Sequence, residues 1–434
     1  MTSNFKPLRP LSDAQDELMK KLLGEVGNQK YKAVSFKMND VLILLPFSEP
    51  YDIFTLMEED FSQLCPESKK TFSELRIAAQ EAALEKYEIM ARVTIEKIYN
   101  IFAKLSGVNQ PVKKQLMQRE CELIEQFSFP RECGKALFRE AKNNKKRVII
   151  TAETIYPKEV ITNILEKCGY NAYDGLVIVS EISGCTSESW YQAALEKSGT
   201  AADKFLHIGG DVAFDIELPI FKGSKALLLA PVLTLMSKSG RIRGYAEEKK
   251  LFDYDKPQYL ALHCVFGLYA AYAFDIPQNK VPLSDFCIDG YSIGFLVLGA
   301  LSLCKDYKPA SQLQEKILEA IKQSPEILDG YKDFSAMYDA HFSSISEKYG
   351  TDGCQLPLEF IEKCCASADR ELIQPYLSAD IAKKWAGSVK EPEIIPYYSG
   401  RPKKGALSRL ADRMFPPDTR VRTIVDGILS KMHK

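Results

Sequence analysis

The residue types that could do chemistry in this chain are Lys37, Asn39, Asp40, Thr151, Thr186, Asp211 and Asp215. They fall in the polar stretches Lys37–Asp40, Thr151, Cys185–Ser187 and Gly209–Asp215, at or soon after the ends of short apolar runs. Open α/β sheets bind ligands at such carboxyl strand ends. The ammonium of Lys37 and the hydroxyl of Thr151 can hold an anion. The carboxylates of Asp40, Asp211 and Asp215 are oxygen donors of the kind Mg²⁺ prefers. Plainer roles stand beside these. Lys37 also serves as a partly solvated strand end, Thr151 as a strand-end hydroxyl, and Asp40 and Asp215 as helix caps or loop hydrogen-bonders. His207 ends a buried strand and reads as a core histidine.

The elements that must position these residues follow from periodicity. Residues 11–28 carry Leu18, Leu22, Leu23 and Val26 on one helical stripe. The run Ala33–Phe36 predicts a buried strand, and Val41–Leu45, closed by Pro46, forms a second apolar run. Helices are predicted over Tyr51–Leu64, Thr71–Met90, Thr94–Leu105, Gln110–Phe127 and Arg131–Lys142, with no strand among them. Strands and helices then alternate. The strands are Val148–Thr151, Gly175–Val179, Phe205–Ile208 and Ala226–Leu229, and the helices are Pro157–Lys167, Glu188–Lys197 and a short one over Asp211–Leu218. Strands alternating with helices predict a doubly wound parallel sheet, Rossmann-like.

Beyond residue 235 the signals are helical: Tyr259–Ala273, Tyr291–Cys304, Leu313–Gln323, Tyr331–Lys348 and Pro357–Ala366. Asp253, Asp255, Asp285 and Asp289 border the apolar helices and read as caps. The end is basic and proline-broken, with Arg401, Lys403, Lys404, Arg409, Arg413, Arg420 and Arg422, and closes on a helix over Thr419–Met432.

With 434 residues, more than one domain is expected. Net charge is -1, so no global field attracts nucleic acid or an anionic membrane. The 11 cysteines are scattered without a C-x-x-C, which predicts free thiols in a reducing cytoplasm. The 4 histidines leave little for an imidazole metal site. No transmembrane span is expected, because the apolar segments near 259–276 and 293–304 fall short of the roughly 20 residues a span needs.

Taken together, the four polar stretches resemble the haloacid-dehalogenase-like (HAD) superfamily of phosphohydrolases. More narrowly, they resemble a bacterial branch linked to surface-polysaccharide and glycosyltransferase systems. That branch's first motif, Ser-Phe-Asp-x-Phe-Asp-Thr-Leu-Leu, corresponds to Ser35-Phe36-Lys37-Met38-Asn39-Asp40-Val41-Leu42-Ile43. The second corresponds to Ile150–Pro157, the third, Ser-Glu-Val-Gly-x-x-Lys, to Ser180–Thr186, and the fourth, His-Ile-Gly-Asp-Asn-x-x-Ser-Asp, to His207–Asp215.

The resemblance implies an aspartyl-phosphate mechanism with Mg²⁺, and the residues depart from it. The nucleophilic aspartate is replaced by Lys37, which cannot form an acyl phosphate and repels Mg²⁺. The acid–base position holds Asn39, which cannot cycle a proton. The charge-neutralising lysine is Thr186, and the metal-binding aspartate is Gly210, with Asp211 one residue on. Asp40 matches the motif's second aspartate, so it does not replace the nucleophile. Thr151 retains the hydroxyl.

The expectation is therefore a HAD-type α/β core over residues 1–47 and 143–232, a helical cap inserted at 48–142, a mainly helical C-terminal domain at 233–390 and a basic tail at 391–434. The expected function is a binding or accessory module, without cofactor, that has lost phosphohydrolase activity. Its partner is a phosphate-bearing small molecule or a protein of a glycosyltransferase system. The alternative is an active Mg²⁺-dependent phosphatase using displaced Asp40, Asp211 and Asp215.

Overall fold

The structure is a computed structural model, and the residues described are 13–48, 51–186, 188–237, 258–275, 298–300, 302–303, 308–322 and 325–349. In chain order they begin with α1 (Asp13–Gly27), β1 (Ala33–Lys37) and β2 (Ile43–Leu44). Next come α2 (Asp52–Thr55), α3 (Glu58–Leu64), α4 (Phe72–Tyr87), α5 (Ile95–Ser106), α6 (Gln110–Phe127), β3 (Phe129–Pro130) and α7 (Glu132–Asn143). The α/β rhythm follows: β4 (Arg147–Ala152), α8 (Lys158–Lys167), β5 (Gly175–Ile178), α9 (Ser189–Ser198), β6 (Phe205–Gly209), α10 (Leu218–Phe221), β7 (Lys225–Leu228) and α11 (Val232–Ser237). After these lie α12 (Gln258–Ala273), α13 (Lys308–Lys322) and α14 (Pro325–Tyr349).

The sheet has the order β5-β4-β1-β6-β7 and all its pairings are parallel. β1 is central because its first four residues are buried, as a strand covered on both faces requires. Its two faces are covered by different helices. Ala33, Ile149, Val177 and Phe205 pack with Trp190, Tyr191 and Ala194 of α9 in one cluster. Phe36, on the opposite face, meets Phe138 of α7 at 5.9 Å between ring centroids. This is the doubly wound arrangement expected from the alternation of strands and helices. The chain runs from β1 to β4 and β5 on one side, then crosses to β6 and β7 on the other. The crossing opens a crevice at the carboxyl ends of β1 and its neighbours.

Helices α2–α6 are inserted between β2 and β3, which pair antiparallel as a short ribbon. Their ends are fixed locally. Thr71 and Glu74 form a reciprocal capping box on α4, Thr94 caps α5, and Asn109 caps α6 with proline in its first turn. The stretch Tyr51–Leu64, predicted as one helix, is two, α2 and α3. β3 lies in a block predicted to be free of strands. Its partner β2 is far away in sequence, so no local pattern announces it. The apolar run Val41–Leu45 is split between a tight turn at Val41 and Leu42 and the strand β2, with the Leu42 and Ile43 amides both donating to the Met38 carbonyl.

In the C-terminal half, α12, α13 and α14 match the helices predicted there, with shifted ends. Among the described residues no helix is long and apolar enough to cross a membrane. Ser187, the four aspartates predicted as caps, most of the predicted helix Tyr291–Cys304, all of Pro357–Ala366 and the basic end of the chain lie outside the described residues.

Candidate functional site

The register of the sheet assembles the site. Lys37, at the tip of β1, pairs with Thr151 on β4, and Phe36 beside it pairs with Ile208 on β6. β6 ends in Gly209, and a turn of π-helix over Val212–Glu217 returns the chain so that Asp215 lies back against the strand end. Only glycine permits this. A Cβ on Gly209 would stand 2.2 Å from the Asp215 Cβ. The Asp215 carboxylate is then held by the amides of Gly210 and Asp211, which donate to its Oδ2 at 2.9 and 2.8 Å.

Lys37 Nζ reaches the same oxygen at 3.1 Å. The Lys37 side chain is 21% exposed and that of Asp215 is 5% exposed. Burial alone would lower the pKa of the ammonium. Asp215, Glu153 and Asp211 together outweigh burial, and the net shift is upward. Burial would likewise raise the carboxyl of Asp215. His207, Lys37 and the Asp211 amide overcome that and hold it well below the usual carboxylate range. Both partners are therefore charged across the neutral range, and the site has an internal ion pair at its centre.

Behind the pair, His207 is fully buried and its Nδ1 lies 2.6 Å from Ser35 Oγ. Burial lowers the imidazole pKa, which favours the neutral ring. The other ring nitrogen, Nε2, faces Asp215 Oδ1 at 3.8 Å, and it carries the ring proton in the tautomer where Ser35 donates into Nδ1. Serine, histidine and aspartate in this order have the composition of a hydrolytic triad. Ser35, however, is fully buried in the middle of the central strand, where no substrate reaches it. His207 is the core histidine the sequence suggests, with a polar contact toward Asp215 added.

Of the remaining residues singled out in the sequence, Thr151, Asp40 and Asp211 lie close to this pair. The Thr151 hydroxyl is buried and donates to the Phe36 carbonyl at 3.4 Å. Asn39 is exposed and its Nδ2 donates to the Glu153 carbonyl at 3.2 Å. Asp40 occupies a left-handed backbone position with φ of 65° at the tip of the turn after β1. Burial raises its pKa against the opposing charges of Arg131 and Lys37. Asp211 Oδ1 accepts from the Phe214 amide at 2.8 Å, as a helix cap does. Thr186 is exposed, and its hydroxyl lies 3.2 Å from that of Ser189.

Two residues that sequence reasoning missed also shape the site. Glu153 adds negative charge beside Lys37. Its position two residues after Thr151 was an available signal. Arg131 is fully buried and donates through Nη1 to the carbonyls of Asp40 at 2.7 Å and Ala230 at 2.9 Å. It thereby ties the turn after β1 to the segment after β7. Nothing in its local sequence announces that role. Among the described residues no group of three His, Cys, Asp or Glu side chains is placed to hold a metal ion.

No family model matches the chain, and no curated protein matches it. Solved structures similar to it include a haloacid dehalogenase-like family hydrolase from Xanthomonas campestris, at 14% identity and TM-score 0.33, covering 47% of this chain and 83% of that one. Another is described as a predicted phosphoglycolate phosphatase from Haemophilus somnus, at 10% identity and TM-score 0.32, covering 46% of this chain and 85% of that one.

Proposed function

We propose that this is a haloacid-dehalogenase-like protein that has lost the aspartyl-phosphate reaction and works as a binding or accessory module. In this reading α2–α6 are the inserted cap. The observation that carries it is the Lys37–Asp215 pair, 3.1 Å long, at the tip of the central strand. The resemblance places a nucleophilic carboxylate where Lys37 stands. An amine there forms no acyl phosphate, and its ammonium repels a divalent cation. Loss of the nucleophile from a cooperating set costs many orders of magnitude in rate.

The residues present do not fit Mg²⁺. Asp215 Oδ2 already accepts the Lys37 ammonium and the amides of Gly210 and Asp211. Asp211 Oδ1 is committed to the Phe214 amide. The positive charge that a metal would supply beside Asp215 is supplied by Lys37. An anion is also poorly served. A phosphate at Lys37 would have to share the ammonium with Asp215 and face the negative charges of Asp215, Glu153 and Asp211, and the Thr151 hydroxyl already donates to a carbonyl. A protein partner is therefore the favoured ligand class over a phosphate-bearing small molecule. A cytoplasmic setting and a role beside bacterial polysaccharide enzymes belong to this proposal and rest on the free thiols and the motif resemblance.

The test is turnover of para-nitrophenyl phosphate by the purified full chain with excess MgCl₂. The expected result is hydrolysis indistinguishable from the buffer blank. Robust hydrolysis abolished by Asp40→Asn or Asp211→Asn overturns the proposal and establishes an active enzyme with displaced carboxylates.

A further inference from the structure

Helices α2–α6 join the sheet through only two connectors, the outgoing one after β2 and the incoming one through β3. Any movement of these helices relative to the sheet must bend both. The C-terminal helices α12 and α14 touch both.

On the outgoing connector, Gly267 of α12 lies so close to Pro46 that an added Cβ would stand 2.3 Å from the Pro46 carbonyl oxygen. One helical turn earlier, on the same face of α12, His263 Nδ1 lies 2.6 Å from Asp52 Oδ1, with both side chains buried. On the incoming connector, the Phe129 ring lies 4.6 Å from the His341 ring of α14. Arg131 Nε donates to Asp275 Oδ1 at 3.3 Å, and the Arg131 guanidinium also reaches the Asp275 carbonyl. The Cys133 amide donates to Asp275 Oδ2 at 3.0 Å. Asp275 lies two residues past the end of α12, about 18 Å along the chain from His263 at helical rise. One helix therefore touches the outgoing connector at Pro46 and the start of α2 at Asp52, and the residue just past its end holds the incoming connector.

Contacts between the inserted helices and the sheet loops restrain the same motion. The Ile95 amide donates to the Ile155 carbonyl at 2.8 Å, Arg92 Nε to the Cys185 carbonyl at 3.1 Å, and Tyr156 Oη to Glu120 at 3.2 Å. Ala91 and Ile89 are built into the hydrophobic cluster under α9. A lid has weak, solvated contacts at its hinge, because opening must cost little. Here the hinge region is the buried part.

We infer that α12 and α14 form an internal clamp on both connectors and hold α2–α6 in one fixed orientation relative to the sheet. This inference is independent of whether the strand-tip site turns over a phosphate ester.

The test is hydrogen–deuterium exchange of the full chain followed by mass spectrometry, reading peptides over 42–52 and 127–133 against peptides from β1, β4 and β6. In the unmodified protein the connector peptides should exchange as slowly as the strands. Gly267→Ala wedges α12 off Pro46 without removing a polar group, and alanine is the better helix former, so loosening there reports the contact itself. Asp275→Ala removes the partner of Arg131. Each should speed connector exchange by at least about tenfold while the strand peptides keep their rates, because breaking one buried pair opens its locality before the core. Connector exchange at loop rates in the unmodified protein overturns the inference, and that arm needs no variant to fold. So does equal acceleration of connectors and strands, or unchanged connectors in both variants.

Discussion

Two of the ion pairs among the described residues, one within the inserted helices and one at the strand tip, are built to opposite standards. Arg76 and Glu120, within the inserted helices, are wholly buried. Arg76 donates through Nε and Nη2 to both Glu120 oxygens at 2.9 Å. Tyr99 and Tyr156 donate to the same carboxylate at 2.8 and 3.2 Å, and Gln80 accepts from Arg76 Nη1 at 3.0 Å. The guanidinium also lies 4.6 Å from the Phe54 ring centroid. Burial disfavours the Arg76 cation, and Glu120 more than restores it. Lys37 and Asp215 form a single contact at 3.1 Å on a crevice edge. The first pair satisfies nearly every donor it buries. The second neutralises one charge with another and leaves the lysine partly open to solvent. A fully satisfied network fixes packing, whereas the strand-tip pair stands where a ligand would otherwise bind.

The comparison breaks most sharply at Glu120. Glu120→Ala leaves the Arg76 guanidinium buried without its carboxylate and removes the acceptor of two tyrosine hydroxyls. A loss of about 3–5 kcal/mol in unfolding free energy is expected, measured by urea titration. A loss below about 1 kcal/mol would put the two pairs on the same footing.

Asp215→Asn tests the other pair and its pH dependence. The folded-state pKa of Asp215 is depressed, so its ionised form adds stability above the unfolded carboxyl value of about 3.9. That contribution is lost as pH falls from there toward the folded value. The unmodified protein should lose stability below about pH 4 more steeply than Asp215→Asn, with curves parallel at neutral pH. Urea midpoints collected through the acid range check this, and coincident slopes would mean that His207, Lys37 and the Asp211 amide do not hold the carboxylate ionised.

The smallest effect is expected from Tyr156→Phe, which deletes one hydroxyl contact and leaves Glu120 with Arg76 and Tyr99. A cost of about 1 kcal/mol is expected from the thermal or urea midpoint. A much larger cost would mean that this one contact carries the junction between the sheet loop and α6.

How far each pair was legible depends on where its partners lie in the chain. Lys37 and Asp215 stand out in the sequence because each follows a short apolar run, where a charged residue has little reason to be unless the strand ends there. Their pairing was not legible, because Lys37 and Asp215 come from different ends of the α/β chain segment and meet only through the parallel register of β1 with β6. Arg76 and Glu120 were not legible as a pair. On α4 and α6 they read as solvated residues among other charges, and their burial depends on Phe54, Tyr99 and Tyr156 from three other segments. Arg131 was missed for the same reason. Its acceptors, Asp40, Ala230 and Asp275, are distant in sequence, and nothing beside it marks it as buried.

The sequence by itself determined the alternating strands and helices of the α/β segment, the long helices inserted after the first strand, and the identities at each strand tip. These depend on local periodicity, caps and residue chemistry, which neighbours in the chain supply. The tertiary structure alone decided that Lys37 is spent on Asp215, that Thr151 turns its hydroxyl to a carbonyl, and that the C-terminal helices grip both connectors. Each is a contact between segments remote in sequence, fixed by sheet register and by the close approach of the Asp215 side chain at Gly209 and of the Pro46 backbone at Gly267, where only a hydrogen fits.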